Sequence, residues 1–158
     1  MGKVLLRDYE EQDQNAVYAL HIKGLKQTGT YIESPEFREE WDKDLLDIPG
    51  TYQNKDGRFM VALCERHVVG MGGFRRFDEQ SAVIKRMRVD PEFQGQGIGG
   101  KLLDTMLLDI KERGYTRAVL DTASEMVAAQ HLYESRGFEL YKRDIQYGQG
   151  MMYYQKEL

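Results

Sequence analysis

Apolar and polar positions along this chain keep two rhythms, one that suits strands and one that suits helices, and the two alternate in a definite order. Residues 4–7 read as a first strand. Over residues 13–26 the spacing becomes helical, with Ala16, Val17, Leu20 and then Gly24 or the stem of Lys23 along one face, and Thr28-Gly29-Thr30 breaks it. Ser34-Pro35 supplies an N-cap and a first-turn proline for a second helix. Phe37, Trp41, Leu45 and Leu46 stripe that helix, and Pro49-Gly50 is expected to end it. Three strands follow, at residues 58–65, 68–77 and 81–89, joined by short turns at Arg66-His67 and Asp78-Glu79-Gln80. They predict an antiparallel meander.

After Val89 the pattern changes. Residues 97–113 are helical, with Leu102, Leu103, Met106, Leu107 and Ile110 on a wide apolar stripe and Gly114 as the C-terminal stop. Residues 117–122 read as a buried strand and 125–136 as a helix stopped by Gly137. Residues 138–143 and 151–156 are final strands around a Gly148-Gln149-Gly150 loop. The order βααβββαβαββ predicts an α/β (α+β) fold. Its seven-stranded sheet is mixed and mostly antiparallel, with a central parallel βαβ crossover and helices on both faces.

Composition narrows the setting. At 158 residues, 41% hydrophobic and 30% charged, residues 1–158 make one ordinary soluble domain, long enough for a core. A net charge of −4 argues against nucleic acid or an acidic membrane as partner. The basic cluster Arg75, Arg76, Lys85, Arg86 and Arg88 reads as a solvated strand face, with contact to a ligand phosphate as the other use. Cys64 stands alone, so no intrachain disulfide forms, and Val61-Ala62-Leu63 before it mark it as a small buried hydrophobe. His21, His67 and His131 show no metal-ligand spacing, so no metal is expected. No apolar run approaches the roughly 18 residues of a membrane span. The N-terminal residues turn acidic at Asp8, too soon for a signal peptide. The expectation is a cytoplasmic protein.

The chemistry concentrates at Val89-Asp90-Pro91-Glu92-Phe93-Gln94-Gly95-Gln96-Gly97-Ile98-Gly99-Gly100, between a strand and a helix. Glycines there bare the N–H groups of a helix N-terminus, which have no intrahelical acceptor and carry partial positive charge, so the turn suits an anion. Gly95-x-Gly97-x-x-Gly100 also fits a dinucleotide fingerprint, with Asp121 as the ribose acid. Three features oppose that reading. The preceding strand ends in Lys85-Arg86-Met87-Arg88-Val89 rather than in an apolar run, Asp90 to Gln94 intervene before the turn, and 37 residues after Asp121 are too few for a second half.

Gln94-x-x-Gly97-x-Gly99 resembles the acetyl-CoA pyrophosphate loop of the GNAT superfamily of N-acetyltransferases. Ala129, Leu132, Tyr133, Gly137 and Phe138 resemble the same family's A-x-x-L-Y-x-x-x-G-F segment. The resemblance implies the GNAT fold and direct acetyl transfer from acetyl-CoA to a primary amine of a small or amino-acid-like acceptor. The pantetheine arm would lie along the Met87, Arg88 and Val89 backbone. Pyrophosphate would sit on the N–H groups of Gln94, Gly95, Gln96, Gly97, Ile98, Gly99 and Gly100. Tyr133 would protonate the departing thiolate, its other reading being a core tyrosine. Leu120-Asp121-Thr122 with Met126 resembles a subgroup in which Met126 replaces a common asparagine beside the cofactor. A homodimer is left open.

One departure weighs on function. Many relatives carry a glutamate general base six positions before the valine held here by Val89, and this chain has Val83 there. Asp121 and Glu79 are the candidate replacements, and a non-catalytic acyl-CoA-binding module is the alternative. Trp41, Tyr31, Tyr147 and Tyr153 are candidates to line an acceptor pocket or to be core.

Overall fold

The alternating segments form seven strands: β1 (Val4–Asp8), β2 (Arg58–Cys64), β3 (His67–Arg76), β4 (Ser81–Val89), β5 (Arg117–Ala123), β6 (Glu139–Gln146) and β7 (Gln149–Glu157). In the computed structural model, which describes residues 2–158, they join one open sheet in the order β1-β2-β3-β4-β5-β7-β6. Every neighbouring pair is antiparallel except β4 and β5, which are parallel. The helix that connects this pair, α5 (Ile98–Glu112), is the predicted crossover, and α6 (Val127–Ser135) follows β5.

Two cores form because strand side chains alternate between faces. On one face α5 presses Ile98, Leu102, Leu103, Met106 and Ile110 against Met60, Ala62, Phe74, Ile84, Ala118 and Leu120. On the other, Val17 and Leu20 of α1 (Gln14–Gln27) pack with Leu45, Ile48, Phe59, Val61 and Met71. The buried face of α1 is Val17, Leu20 and His21, and Ala16 is exposed, so the stripe lies one position off the expected one. Among the described residues no helix is long and apolar enough to cross a membrane.

Two expected elements differ. The single helix expected over Phe37 to Leu46 is three short ones, α2 (Pro35–Trp41), α3 (Lys43–Leu46) and α4 (Ile48–Thr51). Ser34 caps α2 as expected, accepting from Phe37 N at 3.3 Å. The break falls at Asp42, whose carboxylate turns inward to buried partners and draws the backbone out of helical geometry (φ −106°, ψ 14°). Pro49-Gly50 does not end a helix but sits within α4, capped by Asp47 at 3.1 Å from Gly50 N. Leu45 is therefore buried while Leu46 is exposed. In the last hairpin the loop is Tyr147-Gly148, not Gly148-Gln149-Gly150. Both residues have positive φ (51° and 75°), the condition of a tight primed turn. All eight residues of β6 are exposed, so no alternation signalled how far it extends.

Gly57, before β2, is a close approach of backbone to backbone. A Cβ there would run into the Phe74 carbonyl oxygen and stand 2.7 Å from Arg75 Cα. Backbone cannot yield as a side chain can, so Gly57→Ala is expected to cost about 1–3 kcal/mol. Calorimetric melting should record that as a Tm lower by about 3–10 °C. An unchanged Tm would mean that the two strands do not approach this closely.

Candidate active site

The parallel pair is short. β4 pairs with β5 only from Ser81 to Val83, opposite Arg117 to Val119, and beyond that point the strands separate. The cause lies on the other edge of β4. Its pairing with β3 runs Gly70↔Val89 and Met71↔Arg88, then shifts to Gly73↔Lys85, so two residues, Arg86 and Met87, oppose Gly72 alone. Such a bulge bends and twists its strand. Arg86 takes the left-handed conformation this needs, φ 61°. Val83 is buried opposite Val119, so no proton acceptor stands at that position.

The loop after β4 closes the split at one end. Gln94 donates from its side chain to the Val89 carbonyl at 3.1 Å, folding the loop back on the strand. Gly97 is the N-cap of α5, with φ 80°, no side-chain cap and no acidic residue in the first turn. A Cβ at Gly95 or Gly97 would meet open space. Ile98 is the exception in the turn, its side chain buried against Gly70, so only its main chain faces the opening. Gly99 and Gly100 lie in the first turn of α5, Gln96 in the exposed loop, and Met126 at the N-cap of α6. Met87 turns toward α5, near Met106, and Val89 packs beside Gly99.

Tyr133 of α6 is 5% exposed, its ring against Phe138 (6.0 Å) and Tyr154 (6.2 Å). Among the described residues nothing hydrogen-bonds its hydroxyl. Burial first, then Asp121, pushes its pKa up to about 12 against the lowering effect of Arg88, so it keeps its proton. Asp121 is exposed on β5, two residues past the last pair with β4. By alternation it shares a face with Val119, opposite to Leu120. Glu79 lies elsewhere, at the far end of β4 beside Ser81 and Arg117. The structure thus brings Asp121, but not Glu79, to the split.

The opposite wall comes from α1 to α3. His21, 1% exposed, has Nε2 2.9 Å from Asp42 Oδ1, and its Nδ1 accepts from Arg88 Nε at 3.2 Å. Tyr18 donates to the other Asp42 oxygen at 2.8 Å. Burial, then Arg86 and Arg88, lower the His21 pKa to about 4 against the pull of Asp42, so the ring is neutral with its proton on Nε2. Arg86 grips Asp44 with Nε (2.9 Å) and Nη2 (2.7 Å). Phe37, Trp41 and Tyr147 pack together at the surface, Trp41 and Tyr147 at 5.0 Å, while Tyr31 lies under Lys26 and Arg38, and Tyr153 beside Tyr141. Sequence reasoning missed the His21–Asp42–Arg88 chain. Its one available signal was that His21 falls on the Val17 and Leu20 side of α1.

The Acetyltransferase (GNAT) family model matches residues 27–138, a span that takes in the split, the loop and Tyr133. The chain belongs to the GNAT acetyltransferase family. It is 37% identical over 102 residues to N-acetyltransferase 8B from Homo sapiens, 61% of this chain and 45% of that protein. It is 38% identical over 97 residues to N-acetylaspartate synthetase from Rattus norvegicus, 60% of this chain and 32% of that one. The chain thus spans less than half the length of either relative. Its fold matches a GNAT-family acetyltransferase from Staphylococcus aureus with a TM-score of 0.85 at 23% identity, covering 99% of both chains. It also matches yncA from Salmonella typhimurium, solved with its cofactor acetyl-CoA, with a TM-score of 0.75 at 20% identity, over 98% of this chain and 94% of the other. The GNAT fold agrees with the predicted mixed, mostly antiparallel seven-stranded sheet and with its single parallel crossover. It excludes the dinucleotide reading, which requires a doubly wound parallel sheet.

Proposed function

We propose that this chain transfers an acetyl group from acetyl-CoA directly to the primary amine of a small or amino-acid-like acceptor. The observation that carries the proposal is the split between β4 and β5 beside an uncapped helix N-terminus. The residues fit the cosubstrate. The β4 edge at Met87, Arg88 and Val89 has no strand partner on the β5 side and offers main-chain groups to an amide-bearing arm. N–H groups from Gln94 to Gly100 offer sites for a pyrophosphate, and Gly95 and Gly97 leave room for it. Met126 flanks the same opening in this reading. The name of N-acetylaspartate synthetase supports an amino-acid-like acceptor.

When bound, acetyl-CoA supplies a thioester open to attack by a neutral amine. A main-chain N–H at Met87 or Arg88 would stabilise charge on the carbonyl oxygen. Tyr133 would hold a proton toward the departing sulfur. Asp121 would take the amine proton, directly or through water, in place of the missing glutamate.

Thermal melting with acetyl-CoA or NADH, followed by mass detection of acetylated amines, tests the function. Acetyl-CoA should raise Tm and NADH should not. Stabilisation without product from any amine would leave a non-catalytic acyl-CoA-binding module. For the base, Asp121→Asn should lower kcat/KM at neutral pH by roughly 10²-fold, the low end for acid–base catalysis. The deficit should shrink as pH approaches the acceptor amine's own pKa, where the substrate needs no base. Equal pH profiles for the two proteins would remove Asp121 from the reaction and leave the proton to solvent.

A further inference from the structure

The wall of the split that faces α1 holds more cations than the carboxylates beside them can pair. Asp44 is engaged by Arg86 and by the Tyr52 hydroxyl at 2.6 Å. Asp42 is engaged by His21, Tyr18 and, at 3.5 Å, Arg38 Nη1. Among the described residues Arg88 is left with one hydrogen bond, from its Nε to His21 Nδ1. Among the described residues no carboxylate pairs with it. A guanidinium drawn out of water without a counter-ion is a standing cost to the fold. It is mostly buried yet keeps some exposure, so its terminal nitrogens are not sealed off.

The surroundings are built to hold it in place. Gly24 of α1 leaves its berth open, since a Cβ there would stand 2.5 Å from Arg88 Nη1 and 3.2 Å from its Cζ. His21 can accept from Arg88 only while Nδ1 is bare, and Asp42 fixes that tautomer by taking the proton side of the ring. Arg88 and Tyr133 lie close enough to influence each other's charge.

We propose that the Arg88 side chain is the receptor for a carboxylate on the acceptor, and that the substrate is an amine carrying a carboxylate, of the amino-acid type. The inference rests on the acetyl-transfer reading and adds the acceptor's chemical class to it. A guanidinium presents paired donors that match a carboxylate, and the incoming anion supplies the missing counter-ion. His21 and Asp42 are positioning residues, acting only through Arg88.

The test compares each proteinogenic amino acid with the amine left when its α-carboxylate is removed, using purified protein, acetyl-CoA and mass detection. The carboxylate-bearing member of a pair should be acetylated with a kcat/KM higher by roughly 10–100-fold, the range of a hydrogen bond to a charged group. Arg88→Gln should bring the two members toward parity. Gly24→Ala keeps the arginine but displaces its guanidinium, and should raise KM for the carboxylate-bearing acceptor. Calorimetry with acetyl-CoA checks that each variant is folded and binds its cosubstrate. Equal or better use of carboxylate-free amines by the unaltered protein, or a preference that survives Arg88→Gln, overturns the receptor and leaves acetyl transfer standing. Absence of transfer to every member of the panel overturns both.

Discussion

Replacing Gly99 by glutamate is expected to give a folded protein that no longer binds acetyl-CoA. Gly99 lies in the first turn of α5, where a Cβ would meet Leu132 at 3.5 Å and Val89 at 3.6 Å, both ordinary contacts. The fold should therefore accept a side chain there. What it adds is a negative charge where a pyrophosphate would sit. Two like charges 4 Å apart near a protein surface repel by roughly 4 kcal/mol, which is about a 10³-fold loss of affinity. Gly97→Glu would place the same charge nearby, but Gly97 has φ 80°, so any side chain strains the backbone there as well. Gly99 is the cleaner site. Isothermal calorimetry of Gly99→Glu beside Gly99→Gln separates charge from bulk, and the glutamine variant should retain much of the binding. Undiminished affinity in Gly99→Glu would move the cofactor site away from this loop.

Tyr133→Phe is expected to bind acetyl-CoA normally and turn over slowly. The substitution removes only a hydroxyl that no group among the described residues hydrogen-bonds, so the ring contacts with Phe138 and Tyr154 should survive. Loss of a general acid typically costs 10²–10⁴-fold. A phenol held up at about 12 is a weaker acid than a thiol, so in the proposed reaction Tyr133 would serve better as a hydrogen-bond donor to the sulfur than as a full proton donor. That places the expected fall in kcat near the low end, about 10²-fold. The deficit should be smaller with an acyl donor whose thiol is more acidic, because that sulfur departs without help. Steady-state kcat with both donors, beside a binding titration, measures it. An unchanged kcat under rate-limiting chemistry would return Tyr133 to the core.

The element order, the parallel crossover, the glycine turn and the Tyr133 segment were legible in the chain itself. Each is written in neighbouring residues: runs bounded by short turns along β2 to β4, a wide apolar stripe on α5, and glycines where a helix starts without a cap. Val83 was equally plain as the absence of a base. What the chain did not disclose depends on partners far apart in sequence. Nothing local marks Asp42 as a buried residue that breaks a helix, because the pull comes from His21 and Tyr18 on α1. Nor does any local pattern distinguish Arg88, short of a counter-ion, from Arg86, which is fully paired. The choice between Asp121 and Glu79 waited on where β4 and β5 part. β6 hid its length because an edge strand with both faces in solvent has no buried side to impose alternation. Local pattern determined which elements form, since apolar runs and stripes between turn residues mark the segments that must be buried. Only the tertiary structure decided the charges and their partners, since burial and pairing are set by what the fold brings alongside.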